Sequence, residues 1–355
     1  MRERNSPSLR AQEMIMSRMI RAEIFNPNEV AVLHVMARVC RRCFLFGDDP
    51  ITGKNFDHRK LWIEHQIKVQ AAQFGIDILA FSLMENHIHQ VLRSRPDVVQ
   101  TWNDSEVARR WLLICPKRKD EKGNALEPTE VELDKIRNNP SEVAKLRTRL
   151  SDISWWMRIL CQKIGTRANR EDQEVGKFFQ GRFKAVRLLD DEAILACSVY
   201  VDLNPIRASV AESIESSMFT SGKLRFEAAK DTGNTDGFLA PVQVSESDGA
   251  KSDALSAKGK RCSNKGFLPI SSLDYLQLLD LTARLQRSDK SGFSSSQLEP
   301  LMNRLGIELE EWKRLTKDFG RMFSQVAGKP QTIANARSLK TNRRFRMKRF
   351  ATNLE

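Results

Sequence analysis

Apolar positions fall into blocks whose spacing switches between two residues and three or four. Glu29–Phe46 (EVAVLHVMARVCRRCFLF) is dense in Val, Leu, Phe and Cys and contains no Gly or Pro. Its β-branched content, set between Asn-Pro and Gly-Asp-Asp-Pro, predicts a long strand. A helix is expected over 57–74, where Leu61, Trp62, His65, Lys68 and Val69 recur at helical spacing on one packed face before Gly75. Two apolar runs, Ile76–Met84 and His87–Leu92, are separated only by Glu85-Asn86. That is the pattern of an antiparallel hairpin, with Asn86 suited to a positive φ in the turn.

Residues 97–115 read as a helix carrying Trp102 and Trp111, followed by a polar, Lys-rich excursion over 116–128. A long helix is expected from Ser141 to about Arg167, with a stripe of Val143, Leu146, Leu150, Ile153, Met157, Leu160 and Ile164. The basic, aromatic stretch 178–189 reads as a strand or hairpin. Asp190 then suits the N-cap of a helix running to about Asn204, where Pro205 interrupts. The order β-α-β-β-α-β-α predicts an α+β fold: an antiparallel sheet in a ferredoxin-like arrangement, covered by helices.

Composition then divides the chain. Residues 1–28 form a polar arm, 29–215 the main domain, 216–268 a flexible linker rich in Ser, Ala, Gly, Asp and Lys, and 269–355 a helical region. That last region ends in a basic tail, with seven Lys or Arg and no acid between Arg337 and Arg349. No apolar run reaches the ~18 residues of a membrane span. The polar start is no secretory signal, and six scattered cysteines fit reduced thiols. A cytoplasmic protein without a membrane partner is expected. Lys and Arg number 58 against 45 acids, a net charge of +13, which favours a polyanionic partner, nucleic acid first.

Three local features carry chemistry. In Glu85-Asn86-His87-Ile88-His89, strand alternation puts His87 and His89 on one face about 7 Å apart, able to chelate one divalent metal or to stand as a surface pair. No further ligand follows in Gln90-Val91-Leu92, so a metallo-hydrolase of the His-x-His type fits poorly. In Tyr200-Val-Asp-Leu-Asn204, helical spacing lets Tyr200 and Asn204 share a face while Asp202 points elsewhere. Tyr200 also reads as an ordinary half-buried tyrosine, and Asn204-Pro205 as a helix start. In Phe178-Phe179-Gln180-Gly181-Arg182-Phe183-Lys184, with Arg187 beyond, cations alternate with aromatics. That suits single-stranded nucleic acid, or a strand with one buried side. Tyr275, the other of two tyrosines, sits among leucines and reads as a packing residue. His34 and His58 have no partners in sequence, and Trp155-Trp156 reads as core.

Together these features resemble the single-tyrosine HUH transposases, in particular the REP-associated tyrosine transposases. The matching residues are Phe81–His89, Gln180-Gly181-Arg182-Phe183-Lys184 and Tyr200-x-x-x-Asn204-Pro205-x-Arg207, with Arg41–Gly47 also similar. The resemblance covers about 29–212 and departs at Glu85, where relatives often have Pro. It implies an enzyme that nicks and joins single-stranded, hairpin-bearing DNA through a 5′-phosphotyrosine, working as a monomer or homodimer on the nucleoid. Carried over, Tyr200 is the nucleophile. His87, His89 and Asn204 hold Mg2+ or Mn2+, and Arg182, Lys184, Arg187 and Arg207 contact DNA. The alternative is a catalytically inactive, domesticated protein that binds single-stranded or hairpin DNA.

Overall fold

The computed structural model describes residues 25–40, 43–230, 237–244, 259–286 and 299–338. The basic tail beyond 338 and most of the N-terminal arm lie outside them.

The first strand, β1 (Val32–Arg38), alternates cleanly: Leu33, Val35 and Ala37 are buried on one face, and His34, Met36 and Arg38 occupy the other. The hairpin follows as β2 (Ile76–Met84) and β3 (His87–Ser94), and a fourth strand, β4 (Lys184–Leu188), completes the order β2-β3-β1-β4. All three pairings are antiparallel, which is the ferredoxin-like arrangement. A two-residue strand, β5 (Val326–Ala327), adds to β4 in parallel.

β1 is shorter than Glu29–Phe46 because its ladder runs out. Arg38 pairs with His87, the first residue of β3, and on that side the ladder ends with Val39 N–H donating to the turn carbonyl of Asn86 at 2.9 Å. On the other side Val39 bridges Phe179 and Cys40 N–H donates to the Phe178 carbonyl at 2.8 Å, a contact outside the named strands. The turn itself forms without positive φ at Asn86.

Helix α1 (Arg59–Gln73) buries Ile63, Ile67, Gln70 and Ala71, not the face expected. Leu61, His65 and Lys68 are exposed, because the tightest packing goes to the β-branched and small side chains. Each buried isoleucine contributes roughly 1.5–3 kcal/mol relative to exposure.

The expected helix over 97–115 is two helices, α2 (Pro96–Thr101) and α3 (Asp104–Ile114), because Asn103 caps the second by accepting from Glu106 N–H at 2.8 Å. A helix absent from the sequence reading, α4 (Glu130–Arg137), starts with a Thr129–Glu132 capping box. The long helix is likewise α5 (Pro140–Ser151) and α6 (Ile153–Asp172), divided where Asp152 accepts from Ser154 N–H at 2.6 Å. Its stripe from Val143 to Ile164 is buried as the periodicity implied.

After β4 come α7 (Asp191–Asp202) and the single turn α8 (Asn204–Arg207). Asp190 caps α7, accepting from Ala193 N–H at 2.9 Å.

The segment expected to be a flexible linker is built into the fold wherever it is described. It contains α9 (Ser221–Lys230), and Leu239 bridges Ile78 beside β2. Buried Arg93 donates to the carbonyls of Lys265 and Gly266, and Ser263 to Asp77 at 2.9 Å. Small polar residues here feed hydrogen bonds with the sheet edge, which composition alone misreads as flexibility.

Beyond it lie α10 (Ser272–Gln286), α11 (Glu299–Leu305), α12 (Leu309–Met322) and α13 (Pro330–Ser338). One core packs Leu33, Val35 and Ala37 against α1 and α6. The other lies on the opposite face, where α7, α10 and α12 pack together over Val91, Val186 and Leu188. The C-terminal helices are thus a wall of the second core. Among the described residues no helix is long and apolar enough to cross a membrane.

Candidate active site

The second face of the sheet carries the chemistry. Cross-strand partners share a face, so the register Met36–His89, Arg38–His87 and Met36–Lys184 gathers His87, His89, Arg38 and Lys184 on one side with His34. The His87 and His89 rings lie 4.8 Å apart between centroids.

His34 belongs to the same group. Its Nε2 and His89 Nδ1 are 2.8 Å apart and share one hydrogen, and the two rings stack at 5.1 Å. Helix α7 lowers Tyr200 onto this pair: its ring lies 6.0 Å from His34 and 6.0 Å from His89, edge-on to both.

Burial sets the protonation. His34 is driven down to about 4 by loss of water, with the Arg207 charge adding. His87 is also lowered to about 4, by burial and then by Arg38 and Arg207. His89 falls well below its ordinary value through burial, His34, His87 and Arg207. At neutral pH each ring is therefore uncharged and keeps one nitrogen lone pair. His87 Nδ1 faces Asn86 Oδ1 at 2.6 Å, and an amide oxygen only accepts, so Nδ1 carries the hydrogen and Nε2 the lone pair.

Tyr200 and Asn204 come together as their spacing implied, with Arg207 between them. The Arg207 guanidinium lies 3.7 Å from the Tyr200 ring centroid and donates to Asn204 Oδ1 at 2.6 Å. It also donates to the carbonyls of Thr316 and Lys317 on α12, at 3.1 and 3.4 Å. Those carbonyls are turned out of the helix where Asp318 leaves helical geometry (φ −114°, ψ 15°). Asn204 is buried, and its Nδ2 has no partner among the described residues. Asp202 points away, accepting from Ser221, from Gly222 N–H at 2.8 Å and from the Tyr275 hydroxyl at 2.7 Å. Tyr275 is thus a packing residue with one buried hydrogen bond.

The basic residues are dispersed. Lys184 is exposed on the histidine face. Arg187 pairs with Leu33 on the opposite face and reaches Glu29 at 3.4 Å. Arg182 sits on neither face. Val39 pairs with Phe179 and Met36 with Lys184, so Gln180–Phe183 bulge out of the ladder, with Gly181 at φ +126°. The aromatic–basic run is therefore a loop, and its strand begins only at Lys184.

His87 and His89 each keep an Nε2 lone pair, and two imidazole nitrogens are a donor pair that suits a divalent cation, whereas the Asn204 amide oxygen already accepts from Arg207. Among the described residues no cluster of three or more His, Cys, Asp or Glu is placed to hold a metal.

Sequence reasoning missed His34, Arg38 and the C-terminal cover. His34 and Arg38 carried a signal: in VLHVMAR they are the polar members of one alternating face. Phe319 of α12, with its ring 5.8 Å from Tyr200, had none.

No family model matches the sequence, and no curated protein matches it. Among solved structures the chain is similar to that of a REP-associated tyrosine transposase bound to a REP hairpin. Identity is 10% and the TM-score 0.32, over 58% of this chain and 83% of that one.

Proposed function

We propose that this chain is a metal-dependent DNA nicking and joining enzyme of the REP-associated tyrosine transposase type, acting on single-stranded DNA beside a hairpin. The observation that carries this reading is the edge-on approach of Tyr200 to His89 on one sheet face, 6.0 Å between rings.

In the reaction, the phenolic oxygen of Tyr200 bonds to the scissile phosphorus and the bond to the 3′ oxygen breaks. That oxygen leaves with a proton as a 3′ hydroxyl, and the 5′ phosphate stays on the tyrosine. Reversal by the same or another 3′ hydroxyl rejoins DNA without ATP. Nε2 of His87 and His89, with Asn204 Oδ1, would hold Mg2+ or Mn2+, whose charge would polarise the phosphate. Arg207, permanently charged, offsets the negative charge that builds on the phosphate oxygens. Arg38 and Lys184 line the approach along the same face. His34 holds the ring of His89 in place.

A second reading, a domesticated DNA-binding protein without catalysis, is favoured by one observation: α12 closes over Tyr200 and engages Arg207. The test is a covalent adduct assay with single-stranded hairpin substrates and Mg2+ or Mn2+. A metal-dependent adduct that Tyr200→Phe abolishes supports the enzyme. An adduct that survives Tyr200→Phe removes Tyr200 as nucleophile. Hairpin binding with no adduct, unchanged by EDTA, selects the second reading.

A further inference from the structure

Cys40 and Cys43 stand three residues apart where β1 gives way to the segment before α1. Alternation along a continued strand would turn their side chains to opposite faces. The strand instead ends at Arg38, and Cys43 N–H donates to the Cys40 carbonyl at 3.2 Å. A bond from residue i+3 back to residue i closes a turn whose end Cα atoms lie within ~7 Å. A disulfide spans Cα separations of ~4.4–6.8 Å, so the turn holds the two cysteines at bonding reach.

The turn is anchored at both ends, which makes that reach a property of the fold. Cys40 N–H donates to the Phe178 carbonyl at 2.8 Å. After the turn, the Phe44 carbonyl accepts from Arg59 Nη1 at 2.7 Å, and Leu45 N–H donates to the Glu85 carbonyl at 2.8 Å. Arg59 is itself fully buried and paired with Glu171 and Asp172 at the end of α6. Folding has thus already ordered the two cysteines, and a reaction between them runs at high effective concentration.

The pair also differs from the buried thiols of the chain. Cys40 and Cys43 are free and half-buried, whereas Cys197 and Cys262 are buried, and the Cys262 thiol donates to Asp77 at 3.0 Å. Burial pushes the Cys43 thiol up, Cys40 beside it adds to the rise, and Asp172 adds further, with the Arg59 charge acting against them. Cys43 is therefore held protonated, which leaves the first nucleophilic step to Cys40. Once Cys40 is bound to another sulfur, its charge no longer opposes ionisation of Cys43.

We infer that Cys40 and Cys43 are a redox pair, oxidised in the folded chain to an intrachain disulfide by a small-molecule disulfide of the glutathione type. The Cys40 thiolate attacks one sulfur of the oxidant, and the first glutathione leaves with the proton that Cys40 gave up. Cys43 then loses its proton and attacks the Cys40 sulfur, the mixed disulfide breaks, and the second glutathione leaves as a thiol. Two protein thiols are oxidised and one glutathione disulfide is reduced to two thiols. The pair does not depend on the chemistry of Tyr200, so failure of either leaves the other standing.

Arg41 and Arg42 separate the cysteines in sequence, so trypsin releases them on different peptides, 39–41 and 43–54, which only a disulfide holds together. The full chain is incubated under native conditions with oxidised glutathione, its remaining thiols are blocked, and the digest is read by mass spectrometry. The linked peptides should form in monomeric protein and separate again with dithiothreitol. Cys43→Ser should instead hold one glutathione on Cys40, and Cys40→Ser should take glutathione at Cys43 at least about threefold more slowly. Phenylarsine oxide, which bridges two neighbouring thiols without oxidising them, should bind one equivalent that either serine variant loses. Absence of the linked peptides at every glutathione concentration overturns the pair. So does linkage that forms only in denaturant or only between two chains, or arsenical binding that both variants retain. Faster amide exchange at Leu45 in the oxidised chain would show that the turn must open to form the bond, which overturns its preorganisation.

Discussion

Gly320 lies directly against the hydroxyl of Tyr200: a Cβ at that position would sit 2.7 Å from the phenol oxygen. The absence of a side chain on α12 is what lets the phenol lie under it. Tyr200 is thus boxed by three elements, with β1 and β3 below through His34 and His89 and α12 above through Phe319 and Gly320.

Gly320→Ala must displace either the phenol or α12. Overpacking costs about 1–3 kcal/mol, against up to about 1 kcal/mol gained in helix propensity. The expected net is a loss of stability in urea melts. Nitration by tetranitromethane should meanwhile rise at Tyr200 and stay absent at Tyr275, which is fully buried. Unchanged Tyr200 nitration with unchanged stability would show that the contact does not constrain the phenol.

His34→Ala removes the partner of His89 Nδ1 and frees the ring to turn. If His87 and His89 bind a cation, Mn2+ affinity measured by titration should fall about 10- to 100-fold, the usual cost of losing such a support. His34→Gln, which can still hydrogen-bond, should recover part of it. Equal affinity in all three proteins would show that His34 serves packing alone.

Asp202 anchors α7 to α9 and α10, with three hydrogen bonds to a buried carboxyl. Burial raises its pKa, against the lowering effects of Ser221 and Tyr275. Tyr275→Phe should destabilise by about 1–3 kcal/mol, since it leaves a buried acceptor short of one donor. Asp202→Ala should cost more, because it strands the Ser221 and Tyr275 hydroxyls and a backbone N–H together. Chemical denaturation ranks the two, and the reverse order would contradict the network.

Acidification should destabilise the metal-free protein between about pH 6.5 and pH 4. His34 and His87 are lowered from 6.5 to about 4 in the folded chain, so the unfolded chain takes up protons first and stability falls as pH drops through that window. His89, lowered further, adds to the slope. Melting temperatures across this range test it. His34→Gln should give a flatter profile, and an identical slope would mean that His34 is not neutral in the folded state.

Much of this was legible in local sequence. The hairpin, the stripe from Val143 to Ile164, the Asp190 cap and the Tyr200–Asn204 spacing follow from periodicity and capping, which depend on near neighbours. What escaped depends on chain segments far apart. His34 gains its meaning only when β1 is set beside β3, and Gly320 only when α12 folds back over α7. The buried face of α1 was misread because Trp62 and His65 outweigh Ile63 and Ile67 in a spacing count, whereas packing favours the compact isoleucines. Asn103 and Asp152 each split an expected helix, since a side chain that caps one helix start also ends the helix before it.

The pairing of β4 with β5 has a consequence for how the protein comes into being. Arg187 aligns with Val326, and the α12 cover immediately precedes that strand in the chain. Contacts of such long sequence separation form late, after their loop-closure cost has been met. A nascent chain emerging from the ribosome can complete the four-strand sheet with Tyr200 uncovered, well before α12 has been synthesised. The phenol is therefore more accessible before α12 has emerged, and the cover forms only once that helix has been made.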